Sequence, residues 1–423
     1  MAQTPCARSI SHIDTPKVSV VIPAYNHAPY VAQTISSILA QTWRDFEIIV
    51  VDDGSTDETP QIIAQFGDQI RYVWQANRGI AAARNTGIRQ ARGEFISFLD
   101  DDDLWAPDYL ETVVPVLEQD PDTMAVHTGW QAIDEKGRPL SRRSVRVVPP
   151  DQLFDALLVG GFFTGACVTV RKTCLDRVGP LDEMLQGCDD LDLWLRISRV
   201  HTFKGIPEAL VLYRMHGAGL SSNEVHMFRD RLRVLTKHFG PDEGDPLAWS
   251  EEKRRAFGFA YRSGAIGHIH QGQLDEGWRL LAQAVEIYPH LLGRLDTFYE
   301  LALGDQPRGY RGQADLLDIE GNGARMLKRL DCLFAEVGPA VESLRRSAYG
   351  NAYLALAMLS DQAGQWEPAR SCMLRAICAY PALVRQPGLV RRLAKLFAGK
   401  GVVNWLLRVM PHTDRQSPTE SEA

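Results

Sequence analysis

The chain has 423 residues, 45% hydrophobic and 23% charged, with a formal net charge of −7 at pH 7. That length exceeds one ordinary hydrophobic core, so two domains are expected. The acidic balance lacks the basic excess of a nucleic-acid-binding surface. An anionic substrate would therefore have to be met by a local device: a metal ion, helix N-termini or a few placed arginines.

In chain order, residues 1–16 have no apolar core of a secretory signal and read as a flexible leader. "KVSVVIPAY" (17–25) reads as a buried strand, and "PYVAQTISSILAQ" (29–41) has helical periodicity. "FEIIVVDDGS" (46–55) is a second buried strand running into acids and glycine. "STDETPQIIAQF" (55–66) opens with Ser55 and Glu58 in capping-box spacing, which predicts a helix start. A short strand (70–75), a helix (79–91) and a strand, "EFISFLD" (94–100), follow. Alternating helices with continuously apolar strands predict a parallel sheet covered on both faces. "LLVGGFFTGACVTV" (157–170) is too short to span a bilayer and is interrupted by glycines, which leaves contact at a membrane surface open. The seven cysteines form no CxxC pair and are expected to be reduced thiols of a cytoplasmic protein.

These readings give an α/β domain over 17–235 and an all-α domain over 245–410, with a polar, disordered tail over 411–423. Within the helical half, 261–289 can be laid over 353–381 at a constant offset of 92 positions. Tyr261/Tyr353, Gly272/Gly364, Gln273/Gln365 and the Tyr288-Pro289/Tyr380-Pro381 pairs coincide. Each unit reads as two helices joined at a Gly-Gln turn and resembles a degenerate tetratricopeptide repeat. That resemblance allows a protein partner for the helical half; the units are separated rather than tandem, and a plain helical bundle is the alternative.

In open parallel sheets ligands bind beyond the carboxyl ends of the strands. Three of those ends carry "PAYN", "DDGS" and "DDDD". An isolated run of acids such as Asp100 to Asp103 is usually a solvated face. Convergence with the other two segments gives the tetrad a different reading.

Through "VSVVIPAYNHAPYVAQTISSILAQTWRDFEIIVVDDGSTDET" the chain resembles the family 2 glycosyltransferases, from about Lys17 to about Ser222. The resemblance implies a Rossmann-like GT-A fold, a nucleoside diphosphate sugar donor and inverting transfer to an acceptor hydroxyl. It places Pro23, Ala24 and Tyr25 against the nucleotide base, and Asp53 as acceptor of a base N–H, which favours a UDP- or dTDP-sugar. "NRGIAAARNTGI" (77–88) matches the segment over the diphosphate and sugar, so Asn77 and Arg84 are carried over as donor contacts. The tetrad matches the DxD motif. Asp102 is implied as direct ligand of Mn²⁺ or Mg²⁺, with Asp100 and Asp101 contacting ribose or metal-bound water and Asp100 close to the metal. "YRMHGAGLSS" (213–222) implies His216 as a further metal or phosphate contact. "CDDLDLWLRISR" (188–199) matches an ED motif whose usual Glu is Asp189 here; Asp190 aligns with the catalytic base, and Trp194 reads as core.

A transferase-like scaffold acting through its helical half is the alternative, which loss of a DxD acid or of the base would have favoured. A nucleotidyltransferase would carry a Gly-rich basic phosphate loop after the first strand, and a dehydrogenase a GxGxxG; neither is present. The acceptor, whether polysaccharide, lipid-linked glycan or protein, is not legible. No processive polymerase is expected, since channel helices and a QxxRW motif are missing.

Overall fold

In the computed structural model, residues 15–217, 219, 223–305 and 314–385 are described, with six positions between 388 and 397. Nearly all of the expected leader and the whole expected tail lie outside the described residues. The chain divides into two compact units between Ser221 and Ser222. The predicted boundary at 235 therefore falls too late, inside a helix that belongs to the second unit.

The first unit is built on one sheet. Its strands are β1 (Val18–Ala24), β2 (Phe46–Asp52), β3 (Arg71–Trp74), β4 (Phe95–Phe98), β5 (Leu104–Trp105), β6 (Thr123–Ile133), β7 (Pro139–Ser144), β8 (Val168–Arg171) and β9 (Thr202–Arg214). The spatial order is β3-β2-β1-β4-β8-β6-β9-β5, with β7 beside β6. β3, β2, β1 and β4 pair parallel to their neighbours, as predicted, while β8 runs antiparallel to both β4 and β6. Every residue of β1 and β4 is buried, which is why these strands read as apolar runs rather than alternations. β3 closes the edge, and there Tyr72 and Trp74 are exposed.

Helices α1 (Val31–Leu39), α2 (Thr59–Ala64), α3 (Ile80–Gln90), α4 (Tyr109–Gln119), α5 (Pro150–Val159), α6 (Lys172–Val178) and α7 (Asp189–Val200) lie between the strands. α3 packs so closely on β1 that a Cβ at Gly87 would lie 2.2 Å from Val21 Cγ1. The predicted capping box does not form. α2 begins at Thr59, and its N-terminal residue Glu58 makes no side-chain cap. Ser55 Oγ instead accepts from Asn26 N (3.0 Å), and Asp57 Oδ1 accepts from Thr59 N (2.9 Å). A partner 29 residues away has taken the serine that local spacing assigned to the helix.

The second unit is helical: α8 (Glu224–Phe239), α9 (Glu251–His270), α10 (Leu274–Ile287), α11 (Leu295–Leu303), α12 (Ile319–Val337), α13 (Arg345–Gln362) and α14 (Trp366–Ala379). The 92-residue offset is physical. Gly272 and Gly364 turn the two hairpins with φ of 75° and 71°. Tyr288 and Tyr380 end them at nearly the same backbone angles. A Cβ at Gly258 would lie 2.4 Å from Tyr288 Cβ, and one at Gly350 2.4 Å from Tyr380 Cβ. The first helix of each pair thus carries a glycine where the closing tyrosine crosses it. Gly258→Ala should therefore destabilise the helical unit by about 1–3 kcal/mol, although alanine is the better helix former by about 1 kcal/mol. Urea unfolding of the full chain followed by far-UV dichroism measures this, and a gain in stability would refute it. Among the described residues no helix is long and apolar enough to cross a membrane.

Candidate active site

The carboxyl ends of β1, β2 and β4 meet as the sequence predicts, and hydrogen bonds lock their loops together. Asp53 N donates to Ala24 O (2.9 Å) and Leu99 N to Val21 O (3.1 Å). Asn26 holds a positive φ of 53°, tolerable for an asparagine in a turn. From there its Oδ1 accepts from Thr56 N (2.7 Å) and Asp57 N (3.3 Å), pinning the β1 loop to the β2 loop.

Pro23 and Ala24 are buried in β1, whereas the Tyr25 ring is 46% exposed beside them. The buried carboxylate of Asp53 organises the next loop: Oδ1 accepts from Gln75 Nε2 (2.6 Å) and Arg78 N (3.0 Å), and Oδ2 from Gly79 N (2.7 Å). Gly79 needs its freedom, with φ of 90° and Gln186 Oε1 only 2.2 Å from where a Cβ would stand. Asn77 is exposed on that loop.

The four aspartates have four different partners. Asp100 Oδ1 accepts from Arg84 Nη2 (2.6 Å). Asp101 accepts from Tyr25 N (3.0 Å) through Oδ2 and pairs through Oδ1 with His27 Nδ1 (2.6 Å). Asp102 Oδ2 lies 2.8 Å from His216 Nε2. Asp103 Oδ1 accepts from Arg214 N (2.8 Å), fastening the tetrad to the end of β9. Arg214 completes that clasp by donating to Asp102 O (2.7 Å) and Gln33 Oε1 (3.1 Å) while its guanidinium lies over Tyr30. Thr34 Oγ1 reaches the carbonyls of Asp101 and Asp103 from α1.

Packing these acids together raises the proton affinity of Asp100, Asp101 and Asp103. Burial, with Asp102 alongside, pushes the Asp101 carboxyl up to about 6 against the pull of His27. Burial works to lower His27, but the hydrogen bond and charge of Asp101 raise it to about 9. Asp103 is held well above the usual carboxylate range by burial and by Asp102 and Asp100.

The other half of the site is a buried bridge. Arg84 donates from Nη1 to Asp189 Oδ2 (2.8 Å) and from Nη2 to Asp100, and its side chain is only 5% exposed. Arg84 is therefore committed to two carboxylates rather than presented to solvent, and it joins the tetrad to the start of α7. Asp190, the next residue, is tied differently. Its Oδ1 accepts from Leu191 N (2.7 Å), and its Oδ2 would be 3.5 Å from a Cβ at Gly165. Burial, then the charges of Asp189 and Asp100, push Asp190 up to about 6, with Arg84 opposing them. A half-buried carboxylate poised near neutrality, next to one immobilised by an ion pair, suits proton abstraction.

The sequence assigns Asp102 and His216 to one metal, and their side chains do meet, whereas Asp100, expected near the same metal, is held by Arg84. The roles of Asn26, His27 and Arg214 are not expected from the sequence, nor is a specific role for Asp103 within the tetrad. A His three positions beyond a strand has no spacing signal, and the "YR" preceding His216 was the one hint of Arg214.

The family profile described as Glycosyl transferase family 2 matches residues 19–179. An uncharacterized glycosyltransferase of Rickettsia prowazekii is 33% identical over 242 residues, covering 53% of this chain and 74% of the relative. Chondroitin synthase of Escherichia coli is 31% identical over 219 residues, 51% of this chain and 31% of that protein. Among solved structures, a mannosyltransferase of Pyrobaculum calidifontis in complex with GDP-Man and Mn²⁺ aligns over 82% of this chain and 87% of its own. Its identity is 20% and its TM-score 0.44.

Proposed function

Because the chain belongs to glycosyl transferase family 2, we propose that it is an inverting enzyme that moves a sugar from a nucleoside diphosphate sugar to an acceptor hydroxyl. The observation that carries this reading is the placement of Asp190, a half-buried carboxylate raised to about 6, across the Arg84 bridge from the Asp100–Asp103 turn. Donor-side charge handling and acceptor-side proton removal thereby share one rigid support.

Asp190 takes the proton from the acceptor hydroxyl as that oxygen attacks the anomeric carbon from the face opposite the diphosphate. Arg84 holds Asp189 and Asp100, so Asp190 is the acid of that group left to receive a proton. Tyr25 offers its exposed ring to the base, and Asp53, with Oδ1 taken by Gln75 and Arg78 and Oδ2 by Gly79, has one acceptor position on Oδ2 for a ring N–H, which favours a UDP- or dTDP-sugar. A carboxylate oxygen beside an imidazole nitrogen is a fitting donor pair for a divalent cation, Mn²⁺ or Mg²⁺, so Asp102 and His216 would hold it. When bound, such a cation offsets the negative charge that the departing diphosphate accumulates. Acceptors in a surface polysaccharide, a glycolipid or a glycoprotein suit this chemistry equally, and the helical unit is an available dock for a protein.

Thermal unfolding with UDP, dTDP, GDP and CMP, each with and without Mn²⁺, tests the donor side. One nucleotide with Mn²⁺ should raise the unfolding temperature, since ligand at a hundredfold excess over its dissociation constant adds about 2.7 kcal/mol. The shift should vanish in Asp102→Asn. No shift with any nucleotide in folded wild-type protein would refute the reading.

A further inference from the structure

The loop after β1 brings a side chain to the Asp102–His216 pair that neither the family motifs nor the tetrad calls for. His27, Asp102 and His216 each offer a ligand atom, and these atoms all lie within 4.8 Å of one another. The two imidazole rings meet edge to face with centroids 5.5 Å apart. All three groups are partly shielded: the side chains of His27, Asp102 and His216 are 22%, 16% and 3% exposed.

A second observation concerns how His27 is held. Its Nδ1 sits 2.6 Å from Asp101 Oδ1, and Asp101 is itself fixed by Tyr25 N. Metal-binding histidines characteristically donate one ring N–H to a carboxylate, which fixes the tautomer and leaves the other nitrogen for the metal. His27 with Asp101 has that arrangement. The variable acid of the tetrad thereby gains a role, orienting His27, that its position in the motif does not announce.

We propose that His27 is a third protein ligand to the divalent cation, with Asp101 as its positioning residue, making a set of two imidazoles and one carboxylate. This rests on the reading of Asp102 and His216 as the transferase cation site. The consequence is selectivity. Mg²⁺ prefers all-oxygen surroundings and retains its waters, whereas first-row transition ions accept imidazole readily. The set therefore favours Mn²⁺ over Mg²⁺, and two nitrogens sharpen a preference that one would leave weak.

The test is Mn²⁺ binding in the presence of UDP, read by electron paramagnetic resonance on protein carrying ¹⁵N-histidine. Free Mn²⁺ gives the affinity, and nuclear couplings report the coordinated nitrogens. Wild type should show two histidine couplings. His27→Ala and His27→Gln should each show one, with Mn²⁺ held at least about tenfold more weakly and Mg²⁺ affinity changed far less. Asp101→Asn should keep the ligand but weaken Mn²⁺ by about 10–100-fold, the range for lost support of a metal-binding histidine. If wild type shows a single coupling and both His27 variants keep that coupling and wild-type affinity, His27 is only the ion-pair partner of Asp101 and the proposal is wrong, while the Asp102–His216 reading stands. If wild type takes up no Mn²⁺ with UDP, that underlying reading fails as well.

Discussion

Asp190→Asn is expected to fold, bind the donor nucleotide within a few-fold of wild type, and transfer sugar about 10²–10⁴ times more slowly. The amide keeps the shape beside Gly165 but cannot take a proton. In wild type the sign with pH follows from the raised pKa. Asp190 is protonated below about 6 and charged above it, so kcat/KM should climb tenfold per pH unit up to about 6 and then level. Stability runs the other way. A carboxyl whose folded pKa exceeds its unfolded value of about 3.9 favours the fold when protonated. Its contribution is present below about 4 and is lost as pH rises through about 6. At neutral pH the asparagine variant should therefore unfold no lower than wild type. An activity loss under tenfold, or an acid limb unmoved by the substitution, would place the base elsewhere.

The parts of this architecture written in local pattern were legible, and the parts written in long-range pairing were not. β1, β2 and β4 announced themselves because burial on both faces demands unbroken apolar runs, and acids at their ends could only gather at one edge of a parallel sheet. Trp194 was correctly read as core and is buried. Ser55 misled, because a capping-box spacing carries no information about Asn26 reaching across from another loop. The division of labour within the tetrad was equally hidden. All four residues are the same amino acid, and only Arg84, His27, His216 and Arg214, drawn from three separate segments, distinguish them. The family departure at Asp189 has a geometric meaning that no motif supplies: the acid there spans 2.8 Å to the Arg84 guanidinium.

Arg84→Met should be the most destabilising single change in the site. The guanidinium is buried between Asp100 and Asp189, and removing it strands two carboxylates in a poorly solvated place with Asp190 beside them. Breaking a buried ion pair from one side costs about 3–5 kcal/mol. For a unit of this size that lowers the unfolding temperature by on the order of 10 °C. The loss should depend on pH. Arg84 opposes the rise in proton affinity of Asp100 and Asp190, so without it both carboxyls bind protons still more tightly in the folded state. Stability gained by protonation is present at low pH and lost as pH rises through the raised folded values, so the deficit should be smaller near about pH 5 than near about pH 8. Arg84→Lys retains the charge but not the two-pronged geometry and should fall between. The same change couples to catalysis, because the acid limb of kcat/KM should move above about 6 as Asp190 loses its opposing charge. Urea unfolding at the two pH values, with a rate profile on whatever activity remains, decides the matter. A pH-independent loss under about 1 kcal/mol would mean the bridge is dispensable and that Asp189 is held in place by α7 alone.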